Sequence, residues 1–280
     1  MRLRFARHVE FLVTALAVAT QIVSAQTRQQ TFSYAVNPKP VISVRNSYGK
    51  IVVKPGTGNQ VVANVTYSDK LSVQGEQNGN MVRIWSQQLE SGQAATAQYE
   101  VQVPQEATII VTSSSGSITA RDVQGDLVFE SAESAVDIGG ISHAHIHVKT
   151  LGGSVSLSKI TDSHLEVSTI SGNVTLKEVS RTVVSVRSGS GRILYDGDPG
   201  SGVYELKSHS GDIDVVLPAI ASAGVSTKVC KGHVENNFPL ESKNRLKILP
   251  RHSSSLMHGQ RPAASFVLRS FSGNIRARQR

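Results

Sequence analysis

A short word, Ser-Gly-x-(Ile or Val), returns along the second half of this chain at a nearly constant interval. That interval restricts the possible folds more than any other feature. Clear copies are Ser115-Gly116-Ser117-Ile118, Ser171-Gly172-Asn173-Val174, Ser190-Gly191-Arg192-Ile193, Ser210-Gly211-Asp212-Ile213 and Ser272-Gly273-Asn274-Ile275. Gly152-Gly153-Ser154-Val155 and Lys231-Gly232-His233-Val234 are variants, and Ser134 stands in the glycine place of a further copy. The glycine positions 116, 134, 153, 172, 191, 211 and 232 are separated by 18, 19, 19, 19, 20 and 21 residues, and the last copy follows after 41. A fixed period of this kind signals a repeat architecture.

Each period holds two alternating runs, such as His164-Leu165-Glu166-Val167 before the glycine and Val174-Thr175-Leu176 after it. Alternation puts one set of side chains inward and the other outward, as strands do. Glycine between the runs permits positive φ at the corner. A period near 19 is too long for a tight hairpin and too short for a strand-helix-strand unit. One coil per period satisfies it. Residues 111–280 are therefore expected to form an all-β, parallel β-solenoid (β-helix-like) with turns of about 19 residues, interrupted by a Lys-, Arg-, His- and Ser-rich insertion at about 237–262. Leu127, Ile146, Leu165, Val184 and Tyr204 should stack as one buried column, and Phe129, Val148, Val167, Val186 and Leu206 as the next.

Residues 26–110 read as an irregular N-terminal β module that caps the open end of the solenoid. Strands are expected at Val41–Val53, Val61–Tyr67, Leu71–Val73, Met81–Trp85 and Tyr99–Val103, with a hairpin turn at Gln77-Asn78-Gly79-Asn80 and a loop over Ser86–Ala97.

Residues 1–25 have the form of a cleaved signal peptide. Arg2, Arg4 and Arg7 precede an apolar stretch from Phe11 to Ile22, and the small residues Val23-Ser24-Ala25 place the cut before Gln26. Twelve helical residues span about 18 Å, short of a hydrocarbon core of about 30 Å. Loss of three Arg and one Glu with this leader lowers the net charge from +8 to +6. The expected location is exported: periplasm, outer surface or extracellular. A basic exported chain points to anionic surfaces or polysaccharides before nucleic acid. Cys230 is the only cysteine, so no internal disulfide can form.

The ordered series of Ser-Gly-x-Ile words, the lead-in Val101-Gln102-Val103-Pro104 to Ile109-Ile110-Val111, the late segment His233-Val234-Glu235-Asn236-Asn237-Phe238-Pro239 and the ending Phe271-Ser272-Gly273-Asn274-Ile275 resemble the DUF4097 group. Its members are bacterial exported β-repeat proteins provisionally named adhesins. The resemblance, over about residues 40–278, implies a parallel β-helix-like fold and a cell-envelope or surface location. It supplies no catalytic residues.

The chain has no GxSxG, HExxH, Walker or dinucleotide fingerprint and no paired CxxC. Asp196-Gly197-Asp198 and Asp212-Ile213-Asp214 do not repeat in a calcium-roll pattern, and turn chemistry accounts for them. One cluster is sharper. His143, His145 and His147 alternate, and a 19-residue step sets Asp126 and His164 beside His145, and Glu166 beside His147. His145, His147, His164, Asp126 and Glu166 are thus candidate ligands for zinc or a similar ion, against the plainer reading of a solvated polar face. No cofactor is expected.

The leading functional reading is a non-enzymatic envelope or surface protein, an adhesin-like binding or structural module. Its partner would be an envelope polysaccharide or another surface protein, with no nucleic acid and no membrane span after leader removal. The alternative is a carbohydrate-active β-helix enzyme of the polysaccharide lyase kind. Such enzymes need acids and a base gathered in a groove, usually with aromatic sugar platforms, and the single Trp85 lies outside the repeats.

Overall fold

A computed structural model describes residues 27–89, 95–237, 253–256 and 263–280. The expected leader lies outside the described residues, as does most of the 237–262 excursion. The described residues contain no helix, and their 22 strands join into one hydrogen-bonded sheet. That sheet is wound as a β-solenoid.

Each coil contributes a strand to two ribbons. In the first ribbon the N-terminal halves of β2 (Val41–Pro55) and β7 (Thr108–Arg121) are followed by β8 (Asp126–Ser131), β10 (His145–Thr150), β12 (His164–Thr169), β14 (Thr182–Ser188) and β16 (Gly202–Ser208). In the second, the C-terminal halves of β2 and β7 lead to β9 (Ala135–Ser142), β11 (Val155–Thr161), β13 (Val174–Ser180), β15 (Ile193–Asp196) and β17 (Ile213–Leu217). All these pairings are parallel.

The register follows the sequence period. Leu127, Ile146, Leu165, Val184 and Tyr204 are mutual neighbours, as are Phe129, Val148, Val167, Val186 and Leu206, and all ten are buried. At about 1.5–3 kcal/mol for each large apolar side chain, these columns are the main source of cohesion. Towards the C-terminal end the filling becomes aromatic. Tyr204 stacks on Phe266 with centroids 4.5 Å apart, and Tyr195 meets both edge-on. Burial raises both tyrosine hydroxyls, that of Tyr204 to about 12, and each donates to the carbonyl of Val179.

At Gly116 and Gly232 the corner glycine does take positive φ, 129° and 141°, but most of the repeated glycines serve a different purpose. Gly153, Gly172, Gly191, Gly211 and Gly273 do not have positive φ. A Cβ on any of them would instead overlap the carbonyl oxygen of the residue in the same place one coil away: Ser134, Gly153, Gly172, Gly191 and Gly211 in turn. Glycine is needed here for close stacking of corners. The corner also has a hydroxyl that the short word leaves out. The N–H groups of Gly153, Gly172, Gly211 and Gly273 donate to the hydroxyls of Thr150, Thr169, Ser208 and Ser270 at 3.1, 2.9, 2.7 and 2.8 Å. Each hydroxyl lies three residues earlier in the chain, a local side-chain turn that satisfies a buried donor.

At the N-terminal end β5 (Met81–Gln88) and β6 (Ala97–Val103) add one more parallel layer on the two halves of β2. Antiparallel strands then cover it: β4 (Leu71–Asn78) on β5, β3 (Gln60–Ser68) on β6, and β1 (Thr27–Ala35) on β3. The turn expected at Gln77–Asn80 joins β4 to β5, with Gly79 at φ 59°.

The C-terminal end departs from chain order. The period predicts that the coil of Gly232 sits next to that of Gly211. Instead β21 (Ala264–Ser270) and β22 (Ile275–Gln279) pair with β16 and β17, while β18 (Ala223–Val229) and β19 (Val234–Asn236) lie outside them. The last coil in sequence is therefore the penultimate one in space. The short β20 (Ser253–Leu256) runs antiparallel on β18.

Candidate binding surface

Outward side chains of the first ribbon form straight columns, because parallel register repeats each position at every coil. The expected neighbours are all present. His145 is in register with Asp126 on one side and His164 on the other, and His147 with Glu166. The His145 and His164 rings lie 5.9 Å apart between centroids, and His147 Nδ1 is 3.5 Å from Glu166. These contacts are pairwise. Among the described residues no three His, Cys, Asp or Glu side chains converge as a metal would require. His143 does not share the column: at φ 54° it occupies the left-handed corner before β10. With His145, Asp126, Glu106 and Lys39 it lines an open cleft of about 380 Å³. A second cleft, of about 460 Å³, is lined by Trp85, Arg45, Arg83 and Glu76 near the N-terminal end.

The acidic pairs near the C-terminal end have a structural use. Asp214, nearly buried, accepts from Arg192 at 2.7 Å, and Arg276 reaches Asp212 at 2.9 Å and Asp214 at 3.4 Å. Arg276 also approaches Glu235 of the outer coil at 3.8 Å. The Asn274 backbone N–H, followed by the Arg276 charge, holds the Asp212 carboxyl below the usual range. Asp198 does act as turn chemistry predicts, accepting from the Gly200 N–H at 2.9 Å. Two arginines escaped the sequence reading. Arg276 and Arg269 sit on the inserted coil, and chain order gave no reason to set them against residues 203–217.

The family model for Toastrack DUF4097 matches residues 41–276. The chain belongs to this family. Among solved structures, a Parabacteroides distasonis protein provisionally named as lipid-binding is 16% identical, with 90% of this chain and 98% of that chain covered and a TM-score of 0.52. That likeness is one of Toastrack fold. Two proteins provisionally named for adhesion also align. The one from Clostridium sporogenes is 11% identical over 91% of this chain and 100% of its own, with a TM-score of 0.28. The one from Bacteroides fragilis is 10% identical over 89% and 97%, with a TM-score of 0.39. No curated protein matches the chain.

Proposed function

We propose that this Toastrack chain is an exported, non-enzymatic module of the cell envelope that binds a surface partner through its outward side-chain columns, in the manner of an adhesin. The carrying observation is where the displaced acids are used. Groups with shifted titration often mark catalytic sites. Here the shifted carboxyls of Asp162, Glu205 and Asp212 are engaged by Arg181, by Lys207 and by the Asn274 N–H with Arg276, mostly as contacts that tie one coil to the next. They are spread along the solenoid and do not gather around one cleft. That use supports a binding frame over the lyase alternative.

Fractionation of cells expressing the whole chain tests the reading. The protein is expected outside the cytoplasm with Gln26 as its first residue, retained by envelope material and inactive on polyuronates. Cytoplasmic protein still beginning at Met1, or release of unsaturated sugars from a polyuronate, would overturn it.

A further inference from the structure

One column of the first ribbon acquires its chemistry only through the spatial order of the coils. After Thr112 and the acid Glu130, its successive members are Lys149, Ser168, Arg187, Lys207, Arg269 and Lys228, fixed by the registers of β7, β8, β10, β12, β14, β16, β21 and β18. Read along the sequence, Arg269 follows Lys228 by about two periods. In the fold it stands between Lys207 and Lys228. Four cations thus occupy consecutive rungs about 4.8 Å apart, a row of about 14 Å.

Two acids approach this row. Glu205 lies 2.6 Å from Lys207, and Glu166 lies 3.9 Å from Arg187. Arg269 and Lys228, both exposed, stand outside ion-pair distance of the described acids, although the Arg269 charge helps Lys207 hold the Glu205 carboxyl below its usual range. Like charges in direct register across strands destabilise a sheet. Inward-outward alternation demands no cation at these places, so the row is a cost that packing does not explain. Just before the corner, Phe271 is 45% exposed beside the row, and Leu151 and Ile170, 50% and 62% exposed, extend this apolar shoulder over the two coils before Arg187. Phe271 stacks on His209 at 4.9 Å, and the Lys231 ammonium lies 5.8 Å from its ring centroid, adding a fifth cation beside the row.

We propose that this row binds a linear acidic polysaccharide, carboxylated or sulfated, running along the solenoid axis. Its anions lie on Arg187, Lys207, Arg269 and Lys228, and its less polar sugar faces lie against the shoulder. This rests on the binding-module reading and names its partner. The strip is one residue wide, since the neighbouring column of Ser185, Glu205, Val267 and Ser226 carries no cation. A charged chain fits such a strip better than the plane of a membrane. The two clefts described above lie towards the other end of the solenoid.

The test uses the whole protein in calorimetric titrations with polygalacturonate, dextran sulfate and neutral dextran. Its companions are an Arg269→Gln, Lys228→Gln double variant and a charge-matched Lys50→Gln, Lys177→Gln control whose sites are exposed elsewhere. The parent is expected to bind both acidic polymers and not dextran, with affinity falling as salt rises. The row variant should bind about tenfold more weakly, or about 1.4 kcal/mol, and the control within about twofold. Equal weakening of row variant and control, or no binding of either acidic polymer, would overturn the proposal. So would tighter binding to single-stranded DNA, or to vesicles containing phosphatidylglycerol, than to the polysaccharides. Retention by envelope material alongside any of these failures would leave the module reading standing and remove only the acidic partner.

Discussion

The two ends of the solenoid solve the same problem by different means. A stack of parallel strands leaves unpaired N–H and C=O groups at each end, and exposed edges invite association with other chains. At the N-terminal end β2 lies between the outer layer of β5 and β6 and the coil of β7, and antiparallel strands close that layer: β4 on β5 through a tight hairpin, then β3 on β6 and β1 on β3. At the C-terminal end the chain first places β18 and β19 one coil-width away from β16 and β17. It then returns to fill the gap with β21 and β22. Only the β4–β5 pairing of the first cap joins neighbours in sequence, while Val62 pairs with Gln102 and Thr27 with Ser68. Both ends thus contain a wedge, β2 at the first and β21 with β22 at the second. The second has, among the described residues, only the short β20 as antiparallel cover, and its wedge is separated from a partner by 63 residues in one hydrogen bond.

The difference can be broken most severely by removing the C-terminal wedge. Ending the chain at residue 262 deletes the buried Phe266, Leu268 and Ile275, and the buried Ala264 and Ala277. The three larger side chains together represent about 5–9 kcal/mol of burial, comparable with the whole stability of many domains. The truncated protein is expected to lose cooperative unfolding of its C-terminal coils and to be rapidly cut by protease between residues 202 and 237. Deleting residues 27–35 should do far less, because β1 is an outer strand whose Phe32 and Tyr34 are only partly buried. Equal protease resistance of the full-length and shortened C-terminal forms would mean that the wedge is dispensable.

A milder way to sharpen the comparison is to loosen the wedge's ionic clamp. Arg276 bridges Asp212 and Asp214 on one side and Glu235 on the other, so it couples both neighbours of β22. Arg276→Met keeps the apolar stem and removes the charge. The nearly buried Asp214 would retain Arg192, so the expected loss is about 1–3 kcal/mol, less than for stranding a charge with no partner. The pH dependence has a definite sign. Because the folded Asp212 carboxyl titrates below its unfolded value, its contribution is present above about pH 4 and disappears as the pH falls through the folded value. The parent should therefore lose more stability than Arg276→Met between pH 6 and pH 3, measured by urea unfolding. Parallel losses in the two proteins would separate Arg276 from the carboxylate.

The contrast between the ends also marks where the sequence was legible. Period and alternation placed Ile146, Leu165 and Val184 in one column and His145 beside Asp126 and His164, because those facts depend only on step length and parity. They could not say which coil is next to which. Residues 223–229 and 264–270 are equally good strands, and both have a free choice of partner once an excursion separates them. The features at the wedge, Arg269 in the basic row and Arg276 in the clamp, were therefore invisible from spacing alone. One local sign existed. Val229 stands in register with Ser270, so the coil of Gly232 lacks the hydroxyl that caps its neighbours. Positive φ at the corner holds at Gly116 and Gly232, whereas the close approach between coils that requires glycine at the other five leaves no mark in a single coil's sequence.

The smallest expected effect lies midway between the ends, where the second ribbon carries a stacked bulge. Gly140, Lys159 and Glu178 occupy the same place in three successive coils with φ of 69°, 53° and 54°. A side chain in the left-handed region costs about 1–2 kcal/mol relative to the right-handed one, whereas glycine is free to adopt it. Glycine also loses more freedom on folding, by about 0.5–1 kcal/mol. Both effects act at Lys159 and Glu178, which are exposed and form no ion pair among described residues, so the first should win by a small margin. Glu178→Gly is expected to raise the thermal midpoint by about 1–2 °C. Lys177→Gly, one residue earlier on the regular part of β13, should lower it by a similar amount. The reverse change, Gly140→Ala, should be destabilising for two reasons, since its Cβ would overlap the Asp122 carboxylate as well as strain the backbone. If Glu178→Gly and Lys177→Gly lower the midpoint equally, the left-handed bulge stores no strain, and the corner geometry of this coil is set by stacking alone.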